Sequence, residues 1–223
     1  MKLIVFDLDG TLLNTLPDIH NSINYSLKHF NLKPNTFSQT KSYLGTGSLD
    51  LVKRSALKMY DVRFTLTSPL VEILHHFYND YYMHHCLEKT YVYDHVLDTL
   101  KELKNDGYKI AVLSNKDNCQ VEKIIEKYIP NTFDFVCGKT KDSTLKPNAH
   151  ALNKILNYFN VTENETIIVG DSLVDIYFAK NLKTKIISVS YGFCDKELLK
   201  LAKPDYLIDD FKSILGVLHD NFR

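Results

Sequence analysis

Four aspartates, one lysine and a serine–asparagine pair stand where this 223-residue chain could do chemistry, because all but the lysine lie at or just after the end of an apolar run. Asp7 and Asp9 follow LIVF, with Gly10 and Thr11 directly behind them. Ser114-Asn115 ends KIAVLS, Lys146 precedes a helical pattern, and Asp171 and Asp175 follow TIIVG. Four carboxylates gathered in one crevice repel one another. A hard divalent cation with oxygen ligands relieves that repulsion, and Mg²⁺ typically takes one or two carboxylates, waters and a substrate phosphate. Lys146 would add a fixed positive charge.

Such a gathering requires elements that deliver these residues to one place. Leu3, Ile4, Val5 and Phe6 form an apolar run with two β-branched members, expected as a buried strand whose carboxyl end carries Asp7. From residue 88 the pattern alternates: a helix at 94–104 with Val96, Leu97, Leu100 and Leu103 on one face, a strand at 109–114, a helix at 117–129, and a strand at 133–137. A helix opening at Lys146-Pro147 follows, then strands at 166–170, 185–190 and 206–209 with helices at 173–181 and near 195–202, and a closing helix. This alternation predicts an α/β fold with a doubly wound parallel sheet, in which ligands bind along the edge formed by the strands' carboxyl ends. Residues 14–87 break the rhythm and read as all-helical, with segments after Pro17, at 49–59 and at 69–82. The expected organisation is a core made of 1–13 and 88–223 with a helical module, 14–87, inserted after the first strand.

Taken alone, Asp7-x-Asp9-Gly10 is equally a turn, since Asp and Gly are turn formers. A calcium loop fails, because Thr11, Leu12 and Asp18 stand where that pattern wants an acidic or amide residue, glycine and glutamate. Lys+Arg and Asp+Glu are both 27, so no global field draws the chain to nucleic acid or to anionic lipid. No stretch approaches the roughly 20 apolar residues that span a bilayer, and Asp7 and Asp9 interrupt any leader-like run. Cys86, Cys119, Cys137 and Cys194 are dispersed, as reduced thiols are. A cytoplasmic protein, monomer or homodimer, is expected, and the N-x-[ST] matches at Asn160 and Asn164 then carry no weight.

Four motifs in order, DLDGTL at 7–12, VLSNK at 112–116, Lys146 in LKPNAHAL, and GDSLVD at 170–175, resemble those of haloacid dehalogenase superfamily phosphatases. The resemblance spans the chain and is strongest to the phosphoglycolate phosphatase-like branch, which carries a helical cap after its first motif. It implies a Mg²⁺-dependent phosphomonoester hydrolase for a small phosphorylated metabolite, phosphoglycolate favoured. Asp7 would be the nucleophile, forming an aspartyl-phosphate, and Asp9 the acid and base. Asp7, Asp9 through its carbonyl, Asp171 and Asp175 would hold the metal. Ser114, Asn115, Lys146, Gly10 and Thr11 would hold the phosphoryl group. Members that cleave carbon–halogen bonds usually lack an acid at the position of Asp9, which favours phosphate esters. Two departures concern turns alone: Tyr93-Asp94 stands where the family has tyrosine–proline–glycine, and Asn181-Leu182-Lys183 replaces an alanine–glycine.

A phosphomutase similar to β-phosphoglucomutase shares every core residue named, and a pyrophosphatase or nucleotidase is a further alternative. A binder that merely retains the fold has no need of an acid beside a nucleophile. In the helical module, Gly45 and Thr46 resemble the family's specificity loop, and Lys53 or Arg54 would meet a second anionic group of the substrate unless both simply lie on a solvated helix face. The doublets His75-His76 and His84-His85 cannot chelate as an i, i+4 pair does. The tyrosines clustered at 78–93 are expected to pack helices, and Lys116 is either a surface charge or a further substrate contact.

Overall fold

Leu3, Ile4, Val5 and Phe6 are all fully buried in the computed structural model, which describes residues 2–57 and 69–221. Unbroken burial follows from the place of this strand, β1 (Leu3–Phe6), which pairs in parallel with a neighbour on each side. The remaining strands of the sheet are β4 (Lys109–Asp117), β5 (Phe135–Lys139), β6 (Thr166–Gly170), β7 (Lys185–Val189) and β8 (Tyr206–Ile208). Their order is β5-β4-β1-β6-β7-β8, and every pairing is parallel. The chain therefore winds outward in both directions from β1, the doubly wound arrangement expected. The crevice beside β1 is where such a sheet takes its ligand.

The connecting helices are α5 (Val96–Asn105), α6 (Asn118–Tyr128), α7 (Asn153–Phe159), α8 (Leu173–Leu182), α9 (Lys196–Ala202) and α10 (Ser213–Asn221). In α5 the buried face is Val96, Thr99, Leu100 and Leu103, while Leu97 is half exposed. Helical spacing from Val96 selects Thr99 over Leu97, although leucine is the more apolar residue. The helix expected to open at Lys146-Pro147 instead begins with a 3₁₀ turn, Ala149–Leu152, whose cap is Asn148 accepting from the His150 backbone N–H. Lys146 cannot join it, because the Asn115 side chain holds both its backbone N–H and its C=O.

A second, two-stranded ladder pairs β2 (Leu13–Asn14) antiparallel with β3 (Tyr91–Val92), neither visible as an apolar run. Leu13 faces Val92 and Asn14 faces Tyr91, and the Asn14 amide donates to the Tyr91 hydroxyl at 2.8 Å. The chain divides here into two compact units, one running to Asn14 and resuming at Tyr91, the other Thr15–Thr90. The return thus falls at residue 91, three residues after the expected one, because β3 pairs with the strand by which the chain left.

The unit of residues 15–90 contains α1 (Leu16–His29), α2 (Phe37–Ser42), α3 (Ser48–Leu57) and α4 (Pro69–His85). Residues 58 and 59, where the second expected segment ends, lie outside the described residues. Asp18 in the first turn of α1 is buried and accepts from the backbone N–H groups of Lys89 and Thr90 and from the Thr90 hydroxyl. Asn35, also buried, donates to the Ser55 hydroxyl at 2.7 Å. Tyr78 and Tyr82 are buried in α4 with rings stacked on each other, as packing residues.

Candidate active site

Asp7 leaves β1 with its backbone N–H bonded to Val169 of β6, which holds it at the carboxyl end of both strands. The chain then turns tightly: the N–H groups of Thr11, Leu12 and Leu13 all reach the Leu8 carbonyl, and Gly10 donates to Leu13. Gly10 has a positive φ of 87°, and a Cβ there would overlap the Asp171 carboxylate. Glycine is thus required twice over, by the backbone conformation and by the close approach. The amides of Gly10 and Thr11 are engaged inside this turn, and the buried Thr11 hydroxyl donates to Asp171 at 3.3 Å.

Lys146 stands at the centre. Its Nζ lies 2.8 Å from Asp7 and 2.7 Å from Asp175, with its side chain almost wholly buried. Burial works against the ammonium, but the charges of Asp175 and Asp7 outweigh it and push the lysine above its ordinary range. Asn115 does not point away from this centre. By clasping the backbone of Lys146 it fixes where that lysine starts, so these two residues are brought together although they are 31 positions apart in the sequence.

Asp175 is fully buried, and its other oxygen accepts from the N–H and hydroxyl of Ser172 in a capping box at the start of α8. One carboxylate therefore starts a helix and anchors the lysine. Asp171 accepts from the Phe193 N–H at 2.6 Å as well as from Thr11. Its carboxyl is pushed well above the usual carboxylate range by burial and by repulsion from Asp7 and Asp175. Asp7 is likewise raised, to about 7: burial is the largest cause, Asp175 adds to it, and Lys146 opposes it.

Oxygens of Asp7, Asp171 and Asp175 lie within 4.8 Å of one another. With Asp9 they set four carboxylates against the ammonium groups of Lys146 and Lys116, an excess of negative charge in a buried place. Hard oxygen donors, a shared focus and uncompensated charge fit a divalent metal ion. The same crowding, with burial, raises the carboxyls of Asp7 and Asp171.

Ser114 is buried, and its Oγ accepts from the Lys116 backbone N–H, which leaves its own proton to donate. Lys116, which patterning left open, is also brought to this place. The strand β4 runs three residues past its expected end, and the Lys116 side chain, 6% exposed, lies 3.0 Å from Asp9. No period of two marks it, because the pairing of β4 with β5 shifts register between Leu113 and Asp117. Gly192 and Phe193 were also missed. A Cβ on Gly192 would overlap Asp171 and approach the Gly10 carbonyl, and nothing in the polar loop after β7 marks that proximity.

Gly45, Thr46, Lys53 and Arg54 belong to the separate helical unit. There the Arg54 guanidinium is paired with Asp50 at 2.8 Å, one turn earlier on α3, and the Thr46 hydroxyl donates to the same carboxylate. Lys53 is half-buried and Arg54 exposed.

A family model described as haloacid dehalogenase-like hydrolase matches residues 4–189. The chain belongs to this family. A phosphoglycolate phosphatase of Aliivibrio fischeri is 31% identical over 219 residues, covering 98% of this chain and 96% of its own length. One of Pasteurella multocida is 30% identical over 219 residues, covering 97% and 98%. Among solved structures, a predicted phosphoglycolate phosphatase from Haemophilus somnus superposes with a TM-score of 0.89 at 30% identity, covering 97% of each chain. The expectations of this superfamily, of its doubly wound sheet and of an enzyme of the phosphatase class are borne out.

As a haloacid dehalogenase-like hydrolase the chain keeps its turns without the expected glycines. His95 before α5 and Lys183 after α8 both adopt the left-handed conformation, with φ of 64° and 57°. Lys183 closes α8 by donating its N–H to the carbonyls of Ala179 and Lys180, so the cap survives the substitution. Among the described residues no helix is long and apolar enough to cross a membrane.

Proposed function

We propose that the protein is a phosphomonoesterase for small metabolites, with phosphoglycolate as the favoured substrate. The observation that carries the reading is Lys146 bridging Asp7 and Asp175 beside Asp171, at the carboxyl ends of β1 and β6. A carboxylate so placed attacks phosphorus through Oδ. The ester P–O bond breaks with its electron pair on the leaving oxygen, and Asp9 supplies the proton that neutralises it. Asp9 then takes a proton from the water that cleaves the aspartyl-phosphate, which restores both groups.

Ser114 and Lys146 have donors to offer the equatorial phosphoryl oxygens, where charge accumulates in the transition state. Asn115 supports them by holding Lys146, and the Gly10–Thr11 turn by shaping the wall against Asp171. The divalent ion in this reading is Mg²⁺, which Asp7, Asp171, Asp175 and the Asp9 carbonyl would hold and which would supply charge neutralisation for the entering phosphate. The full-length relatives named phosphoglycolate phosphatase support the substrate. On the same reading residues 15–90 form the cap that governs access, and the enzyme works in the cytoplasm with its four cysteines as free thiols.

The test is Asp7→Asn, which keeps size and removes the nucleophile. Hydrolysis of phosphoglycolate and of p-nitrophenyl phosphate in Mg²⁺ should fall by at least about 10⁴-fold with an unchanged circular dichroism spectrum. Turnover persisting in that variant would overturn the assignment.

A further inference from the structure

The mechanism above gives Lys116 nothing to do, yet a lysine whose side chain is 6% exposed must be held there by something. Its ammonium lies 3.0 Å from Asp9, the residue that in the proposed reaction protonates the leaving oxygen. In that reaction the Lys116 charge is thus placed beside the leaving group, whereas the Lys146 Nζ pairs with different carboxylates, Asp7 and Asp175. In an α-phosphoryloxy carboxylate one methylene separates the ester oxygen from the carboxylate. An oxygen hydrogen-bonded to Asp9 therefore brings the substrate's carboxylate to the neighbourhood of Lys116.

An ammonium is a compact charge with three donors, able to serve two carboxylates. Lys146 does so in this same molecule, serving Asp7 and Asp175. Arg54, the alternative from the helical unit, is already matched by Asp50 on its own helix and is exposed, where an ion pair contributes little. Nor does the family pattern used above give Lys116 a role.

Resting on the phosphatase reading, we infer that Lys116 is the specificity-determining cation of the site: it pairs with a carboxylate on the alcohol portion of the substrate, adjacent to the ester oxygen. Discrimination for a doubly anionic substrate is then built into β4 of the catalytic sheet. The Lys116 backbone N–H donates to Ser114 Oγ, so the residue that reads the leaving group is tied directly to one that holds the phosphoryl group.

The experiment compares phosphoglycolate with 2-hydroxyethyl phosphate, which replaces the carboxylate by a neutral hydroxymethyl group. The wild-type enzyme should prefer phosphoglycolate in kcat/KM. Lys116→Gln should reduce that preference by roughly 10²-fold, as expected for removing one partner of a desolvated charge pair, mainly through KM. Lys116→Arg, which keeps the charge, should recover a large part of it. Equal losses on both substrates, in kcat, would overturn the inference and leave Lys116 as a residue that merely positions Asp9. A preference that collapses in Arg54→Ala and survives in Lys116→Gln would overturn it too. Wild-type protein that hydrolyses 2-hydroxyethyl phosphate and phosphoglycolate equally refutes the inference alone; wild type that hydrolyses neither refutes the phosphatase reading beneath it.

Discussion

The catalytic sheet and the helical unit both bury carboxylates, but they treat them in opposite ways. Asp18 in the helical unit is saturated: both its oxygens accept from backbone N–H groups, and the Thr90 hydroxyl adds a further bond. Its charge ties α1 to the segment that leaves the unit. At the sheet edge, Asp7 and Asp171 are crowded by other carboxylates, share one nearby lysine, and are held above their ordinary range as a result. Burial of charge is common to both places, so burial alone does not mark a site. The mark is an unbalanced group of charges at the ends of strands that have no structural need of them.

That contrast is broken most severely at Gly192. Gly192→Ala places a methyl group against Asp171 and the Gly10 carbonyl, and should lower kcat/KM by about 10²-fold, the scale expected for roughly 1 Å of displacement among reacting groups. Activity in Mg²⁺ near the wild-type value would show that Asp171 tolerates such movement. Asp18→Asn probes the other side. An amide facing the Thr90 N–H loses an acceptor and a charge, so stability should fall by about 2 kcal/mol and Tm by several degrees, while the folded fraction keeps its kcat within about two-fold. A loss of kcat with Tm intact would reverse the contrast.

The smallest effect sharpens the comparison through pH. Asp7 titrates near 3.8 unfolded and near 7 folded, so the native state holds its proton longer than the unfolded chain. Stability from this group is present below about pH 4 and is lost as pH rises through about 7; Asp171 acts with the same sign. On the proposed reading a metal would take the proton's place, so the rise in Tm on adding Mg²⁺ should be a few degrees larger at pH 8 than at pH 6. A scanning-calorimetry series in which the Mg²⁺ increment is flat across that range would count against a metal at these carboxylates, and Asp7→Asn should flatten it.

Legibility from sequence follows the same division. Strands β1, β6 and β7 were readable because burial on both faces demands unbroken apolar runs, and the carboxylates ending two of them stood out for the same reason. The helix α2 was not, since FSQTKS has no apolar period and is announced only by the capping box between Thr36 and Gln39. Two-residue strands such as β2 and β3 are too short for any period. Asn115 read as a phosphate ligand by its place in a motif, and the structure engages it on the backbone of Lys146, a contact between residues far apart in the chain. Lys116 was ambiguous because its burial depends on how far β4 continues, which its sequence of polar residues does not disclose.

The pairing of Asn14 with Tyr91 has a consequence for how such a chain can change over generations. Departure and return occur side by side on one small ladder, anchored by Tyr93 donating to the Leu12 carbonyl. The entropy of closing an excursion between those positions rises only slowly with its length. The ladder works as a socket. The segment it holds can therefore differ in length without interrupting the parts of the chain that carry Asp7, Lys146 and Asp171, since none of the three lies between Asn14 and Tyr91.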